Sequence, residues 1–206
     1  MERNTSGSVW QVDLENGQGQ CLADNLAFPF GLMSLKPGIA VASEAWRHRL
    51  IQIEGQAKPR TILGDLPGYP ARMATRPRGY WLTIFAPRRQ MVEFVLREPA
   101  YRKRMLAEVP EPFWMAPALS SGHSNLEPLQ GGSVKRLGID KPWAPTRSYG
   151  LLIGLDSDFK AVISAHSRAG GRRHGVTSAL SIEDDVLVTS RGGNKVLLLQ
   201  SAVFEE

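Results

Sequence analysis

Short apolar runs with a period of two recur along the chain, and turn residues separate them. Residues 8–13 alternate. Val9, Gln11 and Asp13 fall on one side, and Trp10, Val12 and Leu14 on the other. Residues 20–23 return as a hairpin partner after the turn Glu15-Asn16-Gly17. Residues 31–35 and 39–43 form the next pair, joined by Lys36-Pro37-Gly38. Residues 49–53 alternate as Arg-Leu-Ile-Gln-Ile and end at Gly55, and Arg60–Leu63 follows as a short fourth strand. The segment Leu66-Pro67-Gly68-Tyr69-Pro70 then breaks the chain. The pattern restarts over residues 71–75 and, after a Pro77-Arg78-Gly79 turn, over residues 80–85.

From Arg88 to Arg147 the period of two is lost, so residues 88–147 read as an insertion. Residues 91–96 are apolar and fit a strand or a helix. Tyr101, Met105, Leu106 and Val109 recur at i, i+4, i+5 and i+8, which predicts a short amphipathic helix with a basic face. Pro110, Pro112 and Pro117 end it. Strand character returns at residues 149–155 and 160–164, with Asp156-Ser157-Asp158 as the turn. Val176–Ile182 and residues 186–190 and 196–200 are the last three strands.

Two strands, then four, then four split by an insertion, then three, make a repeat at blade-like spacing. A four-stranded unit of this size cannot bury its own faces, so such units stack, most often as a β-propeller. The predicted class is therefore all-β, a propeller of the six-bladed type. A blade takes roughly 40–50 residues, so 206 residues hold about half the ring, three to four blades, as one partial domain over residues 1–206. Exposed edge strands at both ends would invite pairing with another chain.

One group of residues carries a family resemblance. Glu44-Ala45, the basic Arg47 and Arg49, the strand at residues 50–53, Gly55, and the block Leu66, Pro67, Gly68, Tyr69, Pro70 follow one another in order and at characteristic spacing. In these residues the chain resembles the strictosidine synthase-like proteins, six-bladed propellers related to the gluconolactonases and calcium-dependent lactonases. The similarity runs to about residue 200 and spans only part of a full family member. It implies a helical cap over one mouth of the propeller, here residues 97–109. It also implies either carbon–nitrogen lyase chemistry, as in strictosidine synthase itself, or hydrolysis of esters and lactones.

The resemblance further implies where the chemistry should sit. The lactonase relatives hold a divalent cation with an asparagine before an inner strand and an aspartate or asparagine after the gly-tyr-pro step. These positions read Phe30 and Ala71-Arg72 here. A hard cation needs converging oxygen donors, which these side chains do not supply. No cofactor is expected on this chain; a cation such as calcium would need ligands from another chain or from absent blades. The general-base glutamate of strictosidine synthase falls on Ser181, with Glu183 two residues away at a turn. Ser181, Glu183 and His174 are the catalytic candidates. A serine without a visible base is a poor nucleophile, and His174, in a glycine-arginine loop, reads as exposed. Glu44 reads as making a structural ion pair or a turn contact rather than catalysis. Phe30, Arg72, Trp114 and Trp143 are the pocket candidates, and Trp81 reads as packing between blades.

Composition adds limits. The net charge of +5 is spread over short runs, Arg88-Arg89, Arg102-Lys103-Arg104 and Arg172-Arg173-His174, without the aromatic interleaving that reads nucleic acid. One cysteine, Cys21, leaves no internal disulfide and reads as a small core residue. No run approaches the ~18 apolar residues of a membrane span. The expected partners are a small-molecule ligand and either a second copy or an upstream domain that completes the propeller, with no nucleic acid and no membrane span. The expected compartment is the cytoplasm, since residues 1–8 carry no apolar signal segment. The reading is a strictosidine synthase-like propeller protein with a small-molecule pocket; the alternative is a non-catalytic fragment that serves as a binding or assembly module.

Overall fold

A computed structural model describes residues 3–117, 135–136, 139–140, 149–168, 172–200 and 204. The fold is mostly β, in antiparallel sheets that stack face to face, and none of the described sheets closes on itself. Strands β1 (Gly7–Val12) and β2 (Gly19–Leu26) form the first sheet. Strands β3 (Pro29–Lys36), β4 (Ile39–Glu44), β5 (Arg49–Glu54) and β6 (Arg60–Leu63) form the second, in that order. The third begins with β7 (Gly68–Arg76) and β8 (Gly79–Pro87). Helices α1 (Gln90–Arg97) and α2 (Pro99–Glu108) interrupt it, as does a two-residue ladder of β9 (Lys135–Arg136) and β10 (Ile139–Asp140). It is completed by β11 (Leu151–Leu155), paired with β8, and β12 (Ala161–His166) at the edge. The fourth holds β13 (Val176–Ile182), β14 (Asp185–Ser190) and β15 (Lys195–Leu199). No described helix is long and apolar enough to cross a membrane.

The two-residue period explains the stack. In β5, Leu50 points into one core, and Ile51 and Ile53 into another. Ile51 and Ile53 meet Val9, Ala23 and Leu26 of the first sheet. Leu50 joins Val41, Leu82, Ile84, Leu151, Ile153 and Leu155 between the second and third sheets. Trp81 and Leu152 take the opposite face of the third sheet, against Val176, Val186 and Val188 of the fourth. Alternate residues thus fill alternate interfaces, as a pleated strand requires. The first strands of successive sheets lie side by side, β3 along β7 and β7 along β13. Gly31 makes this approach possible, because a Cβ there would stand 2.5 Å from the Ala71 carbonyl oxygen. Its amide donates to Ser43 Oγ (2.8 Å), which donates to that same carbonyl (2.6 Å).

Three local expectations are corrected. The Leu66–Pro70 block is not wholly a break: Gly68, Tyr69 and Pro70 belong to β7 and pair with the end of β8. Gly68 presses against Ile84 and the Ala86 carbonyl, where no Cβ fits. Pro70 sits at a register shift, where its missing N–H is tolerated. The cap stretch 97–109 is not one helix. Arg97 ends α1, and Glu98, extended at φ −94° and ψ 92°, separates it from α2. Glu98 precedes Pro99, and the residue before proline is driven out of helical geometry. Cys21 is only partly buried.

Candidate functional site

The end of the stack at which β4 turns into β5 and β8 runs into α1 carries the densest cluster of aromatic and polar side chains. Glu44 anchors it. This carboxylate is fully buried and accepts from the Ala27 amide (2.7 Å), from Arg47 Nη1 (2.8 Å) and from Arg49 Nε (2.6 Å). The two arginines therefore pin the tight turn Ala45–Arg47 beneath the loop that carries Phe28. Phe28 is held at φ 59°, a strained region for a bulky residue. The Ala45 amide donates to its carbonyl (3.0 Å), and the Trp46 amide to that of Ala27 (3.2 Å).

Rings pack outward from this clamp. Phe30 stacks on Phe85 with centroids 5.3 Å apart, and Phe28 meets Phe30 edge-on at 5.5 Å. Trp46 meets Tyr69 edge-on at 5.6 Å, and the His48 ring lies 4.5 Å from Tyr69. The guanidinium of exposed Arg72 stands 5.8 Å above Phe30. These are offset and edge-on geometries that aromatic quadrupoles favour.

A buried polar network ties helix α1 to the rings. Tyr69 donates to Glu93 Oε1, and His48 Nε2 stands 3.3 Å from the same oxygen. His48 Nδ1 donates to the Gly68 carbonyl (3.0 Å), while Arg88 lies 3.9 Å from Glu93 Oε2. Burial, then the bond to Glu93, pushes the Tyr69 hydroxyl far above its ordinary pKa, so it stays a donor. Burial pulls His48 below the usual imidazole value, against the Gly68 carbonyl and Glu93, which both favour the charged ring. Val92 and Leu96 pack under α1 against Tyr69 and Phe85.

A cleft of about 480 Å³ opens beside this cluster. Phe28, Pro29 and Trp46 wall it on one side, and Leu106 of α2 and Trp114 on the other. Arg3 and Ser6 lie at its polar rim. Trp114 Nε1 donates to the Val109 carbonyl (2.7 Å), which spends its polar handle and orients the ring. The chamber suits a flat apolar molecule, gripped by ring faces and oriented by a few polar groups.

The residues singled out from the sequence separate. Trp114 lines the cleft; Phe30 and Arg72 belong to the adjoining ring stack; Trp143 lies outside the described residues. Ser181 is far away. It accepts from Trp81 Nε1 (3.0 Å) and donates to the Thr75 carbonyl (3.3 Å), six residues along β7 from Tyr69. At strand rise that is ~20 Å from the cluster. Glu183 lies in the exposed β13–β14 turn, at φ 53°. His174 is not exposed as its loop composition suggests; it is fully buried, because Gly192 leaves no Cβ where the ring sits. The residues without a sequence signal are Phe28, His48 and Glu93, since no motif joins them. Among the described residues, no group of His, Cys, Asp and Glu gathers as a metal site. No protein-family model matches the chain, and no curated protein matches it.

Proposed function

We infer that this chain is a partial β-propeller of the strictosidine synthase-like type and that it acts as a binding module, holding a small flat molecule in the aromatic cleft. Three features support the propeller reading. Sheets of similar make-up stack in chain order, their first strands lie together, and a helical pair interrupts the third sheet. One observation carries the binding reading: Trp46, Phe28 and Trp114 face a common chamber, and strained backbone at Phe28 presents its ring there. The polar groups beside it are engaged with one another and brace α1, which favours binding over turnover.

The test is a titration of intrinsic tryptophan fluorescence with tryptamine, aryl esters and lactones, with calcium, magnesium or zinc present. Saturable quenching is expected. Trp114→Ala should weaken it about fivefold, in line with the ~1 kcal/mol of an aromatic contact. No saturation, or equal quenching in Trp114→Ala, would overturn the reading. Metal-stimulated product formation in the same tubes would favour the lyase or hydrolase chemistry that the family resemblance implies.

A second reading, assembly with another copy, draws on the two ends of the stack. Trp10, Val12 and Leu14 are exposed at one end, and Leu180, Ile182, Val196 and Leu198 at the other.

A further inference from the structure

A separate cleft of about 390 Å³ opens where β8 passes into α1. Arg88, Arg89 and Arg97 line it, together with Gln90, Glu93 and Phe94. Three guanidinium groups thus face one carboxylate. That carboxylate accepts from Tyr69, stands 3.3 Å from His48 Nε2 and lies 3.9 Å from Arg88, so it offsets at most one of the three charges. Positive charge therefore predominates in the cleft. Arg88 and Arg89 are partly shielded from water, and burial pulls the Arg89 pKa down. A guanidinium that has lost part of its hydration gains most from an oxyanion, whose paired oxygens match its planar fork.

The cleft also has an apolar wall. Phe94 is 64% exposed. It lies three residues before Arg97, so the two share one face of α1. An exposed ring beside clustered arginines fits a ligand with a planar body and an anionic group.

We propose that this arginine-lined cleft binds a small aromatic anion, with the oxyanion on Arg88, Arg89 and Arg97 and the planar body against Phe94. The shared chemistry is a phosphate monoester or a carboxylate. The site stands apart from the aromatic cleft, and neither proposal depends on the other.

Calorimetric titration at low ionic strength with phenyl phosphate, benzoate and inorganic phosphate tests it. Phenyl phosphate or benzoate should bind at least about fivefold more tightly than inorganic phosphate, and 0.5 M salt should weaken binding by screening. Tighter phenyl phosphate assigns the monoester; tighter benzoate assigns the carboxylate. Arg97→Gln should cost about tenfold in affinity, and Phe94→Ala should erase the advantage of the aromatic anion. Arg78→Gln, in the distant β7–β8 turn, should change nothing. Arg97 and Phe94 are exposed, so these variants fold even if Arg88→Gln does not. Absence of binding by all three anions at millimolar concentration, or an equal loss in Arg78→Gln, overturns the proposal. Tryptamine quenching, read in parallel, reports on the aromatic cleft separately.

Discussion

His48 occupies a left-handed backbone position, φ 49°, and packs its ring on Tyr69. Its surroundings are charged on several sides: Glu93 and Arg88 face it from α1 and its approach, Tyr69 from β7, and Arg3 from the amino-terminal segment. Burial outweighs the carbonyl and carboxylate, so the folded pKa lies below the ordinary 6.5. Between these two values the unfolded chain binds the proton more readily than the folded one. Stability from His48 is therefore fully present above about pH 6.5 and is lost as pH falls toward the folded pKa. Urea midpoints should drop between pH 7.5 and pH 5, and His48→Asn, which can still donate to Gly68, should flatten that slope. An unchanged slope in the variant would refute the assignment. Glu44 was legible as an ion pair because its basic partners, Arg47 and Arg49, are near in sequence. His48 and Glu93 were not, because distant elements carry them and only folding brings them within 3.3 Å.

At the scale of elements, alternation located the strands well. Arg60–Leu63 and Val176–Ile182 have the bounds that the pattern predicts, the other expected strands differ only at their ends, and only the two-residue β9 and β10 were not foreseen. The reason is that the central strands of the inner sheets are buried on both faces, so most apolar residues in the period find a core, while Leu32 of β3 and Val162 of the edge strand β12 stay exposed. The pattern failed where tertiary contact overrides local preference. Gly68 and Pro70 read as breakers, yet the first fits a close backbone approach and the second a bulge. Gly31 bears the same kind of contact between β3 and β7. Gly31→Ala must push the strands apart, since its new methyl meets backbone, which cannot rotate away. Overpacking of this kind costs about 1–3 kcal/mol, or ~2–12 °C in melting temperature for a chain of this size. A thermal melt that matches the native chain would show that these strands have room to spare.

At the scale of the molecule, internal interfaces are formed by apolar faces meeting, while the two outermost faces stay exposed among the described residues. Sheet four shows Leu180, Ile182, Val196 and Leu198, and sheet one shows Trp10, Val12 and Leu14. Apolar patches of this kind drive association, and unlike faces join head to tail, giving closed rings or open chains. Light scattering after size exclusion should show mass rising with protein concentration, and Val196→Lys with Leu198→Lys should lower it. A monomer mass at all concentrations would remove the assembly reading. Strand positions and the all-β class could be read from the chain because each depends on near neighbours and on a period of two. The meeting of Phe28, Trp46 and Trp114, the Tyr69–Glu93–His48 network, the burial of His174 and the distance of Ser181 from the cluster arose only in three dimensions. Each depends on which sheet faces stack and on where α1 and α2 dock, and no local pattern of polar and apolar residues encodes that.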